Sequence, residues 1–163
     1  MKKVIVDAAP LIFMAKADLI GVFKKLYDKC YVPSHVMKEI ERPIELGYTA
    51  PEIKIIKEAD ILVVERLTVK EVIEAKKLAV KHNIGMGEAE AGVLFKRGGF
   101  ETLIVADIRA YKKLKELNVN TLDLVDVGFV AAKKNIINPR QFANKLYEKG
   151  HYRTERILDI LGR

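Results

Sequence analysis

Five short apolar runs, each followed by a stretch of helical period, constrain this chain more than any other feature of its sequence. They fall at residues 3–6, around 29–32, at 61–64, 102–106 and 119–122, and each is apolar on both alternating faces. A strand of that kind has no side to offer to water, so the pattern predicts a central, mostly parallel sheet of about five strands with helices on both faces, an α/β fold. Pro10 suits a first helical position before residues 11–16, and Asp18 is placed to cap a helix running to Tyr27. Pro33-Ser34 opens a helix carrying Val36, Ile40 and Ile44, with Pro43 kinking or ending it near Arg42. Thr68 and Glu71 form a capping box for residues 69–82. Gly85-Met86-Gly87 breaks the chain before a helix over 88–96, and a helix over 109–117 stops at Asn118, a residue that tolerates the left-handed conformation. The tail from about residue 123 reads as helices over 123–134, 139–148 and 154–161, separated by Asn138 and Gly150. At 163 residues, with no linker or repeat, one domain spanning 1–163 is expected.

Composition then removes several chemistries. Cys30 is the only cysteine, which excludes an internal disulfide and a Cys-rich zinc site and fits a reducing cytoplasm. His35, His82 and His151 lack ligand spacing, and Ser34 is the only serine, so a serine-nucleophile hydrolase is disfavoured. No run is long enough for a membrane span, and no apolar signal segment follows Lys2-Lys3, so no membrane partner is expected. The net charge of +7 would steer a polyanion towards the chain, although basic surfaces are also common on proteins that never touch nucleic acid. Abundant Ile, Lys and Glu beside a single glutamine, Gln141, is the bias of heat-adapted proteins and suggests a thermophilic source.

In an open α/β sheet, ligands bind beyond the carboxyl ends of the strands. Asp7 follows Lys-Val-Ile-Val and Asp107 follows Thr-Leu-Ile-Val-Ala, so both should project from that edge. Glu88 opens the helix after the glycine break, and Glu39 lies one turn into the helix beyond the second strand. Four carboxylates brought together repel one another unless a divalent cation neutralises them or some hold a proton. Magnesium suits such a site, because it takes oxygen ligands, keeps several waters and typically uses one or two carboxylates beside substrate phosphate. Water activated by one or two such ions can attack phosphorus in line, without serine, cysteine or histidine. Each acid also has an ordinary explanation: Asp107 as a helix cap, Glu88 as a complement to a helix dipole, Glu39 as a solvated helical glutamate. Asp7 is the hardest to explain that way, since the end of a buried strand offers a carboxylate little water. Glu90 would point to a different side of its helix from Glu88 and is held as an outer-shell group.

The order of these pieces resembles the PIN domains, and more closely the free-standing archaeal and bacterial PIN-like proteins related to VapC-type toxins. The matching pieces are Val4-Ile5-Val6-Asp7-Ala8-Ala9-Pro10-Leu11-Ile12, Val32-Pro33-Ser34-His35-Val36-Met37-Lys38-Glu39, Gly85-Met86-Gly87-Glu88-Ala89-Glu90-Ala91 and Leu103-Ile104-Val105-Ala106-Asp107, with Gly150-His151-Tyr152 in the tail. The resemblance implies a three-layer α/β/α nuclease-like fold in which Asp7, Glu39, Glu88 and Asp107 are the catalytic, metal-binding acids. It also implies a magnesium- or manganese-dependent ribonuclease, RNA as substrate, and for a toxin a cognate antitoxin as partner. Ala8-Ala9 stand where the family usually carries a small hydroxyl or amide residue, and Ala106 precedes Asp107. Hydrogen bonds from such residues ordinarily orient the carboxylates or the attacking water, so their loss bears on rate more than on metal binding.

Lys16, Arg109, Lys112 and Lys113 are candidates to meet substrate phosphates, with a solvated helix face as the ordinary alternative. Tyr111 can stack on a base, although packing against the sheet is the commoner role for such an aromatic. The apolar face of Ile136, Ile137, Phe142 and Leu146 is a candidate for pairing two copies of the chain. Gly85-Met86-Gly87 lacks the third glycine and the preceding strand of a dinucleotide site, and no phosphate-binding Gly-Lys-Ser/Thr loop occurs. A phosphoryl-aspartate enzyme would use Asp7 as nucleophile, but Ala9 occupies the place of its second aspartate. The alternative of another class is a PIN-like scaffold, catalytically weak or inactive, that binds RNA or a protein without cutting.

Overall fold

A computed structural model describes residues 2–163. Five parallel strands, β1 (Lys3–Val6), β2 (Lys29–Pro33), β3 (Leu62–Glu65), β4 (Thr102–Ile104) and β5 (Thr121–Leu122), form one sheet in the order β3-β2-β1-β4-β5. The central strand β1 explains the layering. Val4 and Val6 face one core, built with Val32 and Ile104, whereas Ile5 faces another with Leu103 and Val105, and all three β1 residues are sealed from solvent. Residues that alternate in direction yet are apolar throughout require cover on both sides. On the Val4 side lie α1 (Ala8–Lys16), α2 (Ile20–Leu26), α3 (Ser34–Glu45), α4 (Pro51–Glu58), α8 (Leu124–Lys133), α9 (Pro139–Glu148) and α10 (Glu155–Leu161). On the Ile5 side, α6 (Met86–Arg97) and α7 (Ile108–Glu116) bring Ala91, Leu94, Ala110 and Leu114 to the sheet, and α5 (Val69–His82) packs outside α6 through Ala75, against Ala89 and Val93. The fold is the expected three-layer α/β/α arrangement, with an all-parallel sheet.

Local signals explain most boundaries. Thr68 and Glu71 form both halves of the capping box that starts α5, which ends on left-handed Asn83. Asn118 is left-handed, and the Val119 N–H donates to the Leu114 carbonyl while the Asn118 N–H donates to that of Lys115, a Schellman stop for α7. Asp18 does not cap the second helix. It is itself left-handed, and the bonds from Leu19 N–H to Met14 and from Asp18 N–H to Ala15 make it the stop signal of α1, so α2 starts at Ile20. Pro10 is the third residue of α1 rather than the first, because Asp7 occupies the N-cap. Pro43 neither ends α3 nor stops it near Arg42: the helix continues to Glu45, with only the Glu39 carbonyl deprived of the N–H that proline lacks. Helix α4 lay outside the sequence expectation, although Pro51 at its start, Glu52 in its first turn and Lys57 in its last are ordinary helix signals. The fourth strand ends at Ile104 and the fifth is two residues long, since Val105 and Val119 reach the core from the connecting segments.

Two of the four residues named for pairing two copies are buried within the chain itself. Phe142 and Leu146 are buried, and Ile136 and Ile137 pack partly buried against the same core. Gly128 shows how closely α8 and α9 approach, because a Cβ there would stand 2.6 Å from the Phe142 ring. No helix among the described residues is long and apolar enough to cross a membrane.

Candidate active site

Parallel strands send their carboxyl ends to one edge, and the sheet order sets β1 between β2 and β4 there. Asp7 is the first residue beyond β1. Its N–H extends the ladder to the Ile104 carbonyl at 3.0 Å, its backbone caps α1, and the residue is only 9% exposed. Asp107 leaves the end of β4 and caps α7, its Oδ1 accepting from the Arg109 N–H at 2.7 Å and the Ala110 N–H at 3.2 Å. The ordinary reading of Asp107 as a cap is therefore correct, but the cap engages one carboxylate oxygen and leaves the residue exposed.

Gly87 locates the other acids. A Cβ on this buried glycine in the first turn of α6 would lie 3.3 Å from Asp7 Oδ1 and 3.5 Å from Glu39 Oε1, so oxygens from β1 and α3 flank one methyl-sized space. Any larger side chain would fill the gap between them. Glu88, the next residue, folds back over the helix start, where its carboxylate lies against Gly85. The Glu88 carboxylate occupies the place of a Cβ on Gly85, so a side chain there would displace the glutamate.

Electrostatics tie the four acids together. Burial pushes the Asp7 carboxyl up to about 7, Glu88 adds to the rise, the Ala8 N–H opposes it, and Glu39 and Asp107 raise it further. Glu39 is raised by partial loss of hydration, then by Glu90 and Glu88, with His35 opposing. Glu88 is raised first by burial, with Asp107 adding and the backbone N–H groups of Glu88 and Gly85 opposing. Among the described residues, none of these four carboxylates forms an ion pair with lysine or arginine, whereas Glu65, Glu71, Asp123 and Asp126 elsewhere all find arginine. The structure thus concentrates unneutralised acid at one edge.

Glu90 was the least legible member of this edge. It is 1% exposed, and its Oε2 meets His35 Nδ1 at 2.7 Å, so α6 is joined to α3 one helical turn before Glu39. The signal for it was His35 standing four residues before Glu39, a spacing that places both on one face of α3. The Ala8 N–H likewise lowers the proton affinity of Asp7, an influence that leaves no trace in residue type because the group belongs to the backbone.

The donor set fits a hydrated divalent cation. Asp7 and Glu39 present oxygens to a common space, and Asp107 keeps one oxygen free of its cap, whereas no three acidic, histidine or cysteine side chains among the described residues form a ready-made cage. One or two direct carboxylates completed by water is what magnesium or manganese asks of a protein that also binds phosphate.

The basic candidates are less concentrated. Lys16 is exposed in the last turn of α1, Lys112 is exposed on α7, Lys113 pairs with Glu116 at 3.6 Å, and the Arg109 guanidinium donates to the Asn83 carbonyl at 3.0 Å. Tyr111 packs partly buried against the α6–α7 core with Lys115 4.5 Å from its ring centroid.

A family model described as PIN domain matches residues 3–161. Among solved structures, the PAE2754 protein of Pyrobaculum aerophilum is similar with a TM-score of 0.56 and 14% identity, over 83% of this chain and 97% of that one. At that identity the likeness is one of fold. No curated protein matches the sequence.

Proposed function

Because the chain belongs to the PIN-domain family, whose fold is of nuclease type, we propose that it hydrolyses RNA phosphodiester bonds with magnesium or manganese held at the Asp7, Glu39, Glu88 and Asp107 edge. The observation that carries this reading is that Asp7, Glu39 and Glu88 are each raised by burial and by neighbouring acids, Asp107 among them, while none of the four pairs with lysine or arginine among the described residues. Asp7, with Glu39 across the Gly87 gap, would hold the ion directly, and Glu88 and Asp107 through water. When bound, the ion supplies positive charge against the phosphate and makes a water more acidic.

The remaining work belongs to the protein's own groups. Asp7 binds its proton with a pKa near neutrality, so it exchanges that proton for a cation in the ordinary working range. Asp107 is fixed by two backbone N–H groups on Oδ1, which leave its other oxygen free to act. Glu90 and His35 act from behind as positioning residues, pinning α3 to α6 so that Glu39 keeps its distance from Asp7. The +7 charge, with Lys16, Arg109 and Lys112 exposed, favours a polyanionic substrate.

The test is manganese-dependent cleavage of mixed RNA by the wild type and by Asp7→Asn. Cleavage that the substitution abolishes supports the enzyme. Tight RNA binding with no turnover supports the non-cutting scaffold motivated by Ala8-Ala9, and cleavage unchanged by the substitution refutes the assignment of Asp7. The toxin part of the reading predicts growth arrest on expression, relieved by Asp7→Asn or by co-expression of an adjacent small antitoxin gene.

A further inference from the structure

We propose that the cavity beside Asp107 is a nucleobase pocket, which holds one unstacked base of the RNA next to the cleaved phosphate. The proposal rests on the ribonuclease reading above for the identity of the ligand. The cavity measures about 270 Å³ and opens at the carboxyl end of β4 and β5, the same edge that carries Asp7 and Asp107. Ala106 and Ile108, the two neighbours of Asp107, form one wall, and Tyr152 with the start of α10 forms the other. A volume near the lower end of the range of about 300–1,000 Å³ for small-molecule sites suits a single heterocycle.

The chemistry of the walls selects a base over a phosphate. The one basic group that lines the cavity, Arg156, already has its guanidinium bound on two sides, by Asp123 Oδ2 at 2.6 Å and Asp126 Oδ1 at 3.1 Å. With Glu155 also lining the space, acids outnumber that arginine, and a phosphate would be repelled. A guanidinium whose N–H edges are held by carboxylates still offers its flat face, and its side chain is 41% exposed. Bases stack on such planes and on apolar walls without any need for a free cation. Ile108, at the first position of α7, leaves an apolar side chain 53% exposed at the mouth. A base seated there would cover it.

The pocket is preformed rather than induced. The Tyr152 hydroxyl donates to the Ala106 carbonyl at 3.3 Å, and the Tyr152 ring packs on Phe13 with centroids 4.9 Å apart. Gly150 permits that placement, because a Cβ there would stand 2.8 Å from the Leu146 carbonyl oxygen and 3.0 Å from that of Phe13. The Gly150-His151-Tyr152 turn thus clamps the far wall onto the end of β4.

Two measurements test the pocket. In the first, short single-stranded RNAs carry one abasic ribose stepped through the positions around the cleaved phosphate. One position next to that phosphate should lose about 5- to 150-fold in kcat/KM, the range expected for one stacked base. Ile108→Trp, which fills the mouth from an exposed position, should cut intact and abasic RNA at one common, reduced rate. In the second, Asp7→Asn protein binds RNA carrying a single 2-aminopurine, whose fluorescence should change at that position alone and lose the change when Ile108→Trp is added. If RNA is cut in an Asp7-dependent way but no abasic position matters, or if Ile108→Trp keeps the wild-type discrimination, the pocket is refuted while the nuclease stands. If no RNA is cut but the position-specific 2-aminopurine signal appears and vanishes with Ile108→Trp, the pocket stands and the cleavage reading falls.

Discussion

Replacing Asp7 with asparagine should stabilise the metal-free protein while removing its response to metal. The carboxyl moves from 3.8 to about 7 on folding, chiefly because it leaves water and secondly because Glu88 lies close. A raised carboxylate pKa means that the folded chain holds the proton more tightly than the unfolded one. Stability from this group is therefore full below about pH 4, falls as the pH rises from there through about 7, and is constant above. At about 1.4 kcal/mol per pKa unit, the deficit of the wild type reaches about 4 kcal/mol by pH 8. Asparagine keeps the shape and never ionises, so the deficit disappears; the gain should be a fraction of a kcal/mol near pH 4 and grow to about 4 kcal/mol at pH 8. For a chain of this length that is a rise in Tm on the order of 10 °C. The assay is thermal unfolding in chelator at pH 4, 6 and 8, repeated with magnesium and with manganese. Wild type should gain stability from metal, and more at pH 8 than at pH 6, because proton and cation compete for one carboxylate. Asp7→Asn should gain little or none at any pH. Equal melting of the two proteins in chelator at pH 8, or equal stabilisation of both by metal, would refute the argument that Asp7 is a desolvated charge awaiting a cation.

Gly87→Ala separates folding from site occupancy. A methyl at 3.3 Å from Asp7 Oδ1 strains the apoprotein little, and alanine favours the helix, so Tm in chelator should change by no more than about 2 °C, while metal affinity, read by calorimetry, should fall about 10-fold or more as ligand waters lose their space. His35→Ala removes the group that opposes the rise in the Glu39 carboxyl, so the acidic limb of the metal-dependent rate should move to higher pH; an unmoved limb would show that His35 does not act through Glu39. Gly150→Ala drives a Cβ into two carbonyl oxygens and should cost about 2 kcal/mol, measured by denaturant unfolding, with no loss if the turn can open freely. Arg97 bridges Glu65 at 2.9 Å and Glu71 at 2.7 Å with only partial burial, so Arg97→Ala should cost about 1 kcal/mol, shrinking in high salt.

How much of this was legible in the sequence follows from the range of each interaction. The sheet was readable because strands sealed on both faces carry uninterrupted apolar runs, and β1 and α9 have the bounds that their residues predict. Position beyond a parallel strand is a topological property, so Asp7 and Asp107 could be assigned to one edge from local sequence alone. Helix ends failed where one residue served a different neighbour from the one expected. Asp18 has the composition of an N-cap, but two backbone bonds of the preceding helix decide its conformation first. The apolar stripe of Phe142 and Leu146 has the period of an interface, and whether it faces a second copy or the home sheet depends on the fold of the whole tail.

The acidic edge itself shows which information is local and which is not. Asp7, Glu88 and Asp107 sit where a helix begins, positions that are visible in sequence, whereas Glu39 lies in the middle of α3. The spacing of the four is not visible there, because it depends on how far α6 stands from β1 and α3, and the absent side chain of Gly87 sets that distance. Glu90 illustrates the same limit from the opposite side. Two positions along a helix from Glu88, it turns away from Asp7, and only the packing of α6 on α3 brings it to His35 and within influence of Glu39. A chain that buries Glu90 at 1% exposure beside further carboxylates accepts a standing electrostatic cost at this edge. An incoming cation relieves that cost, and so the same repulsion that destabilises the metal-free fold becomes the affinity of the site. Stability in chelator and affinity for metal should therefore move in opposite directions across Asp7, Glu39 and Glu88 variants, and parallel losses in both would mean that these acids are structural.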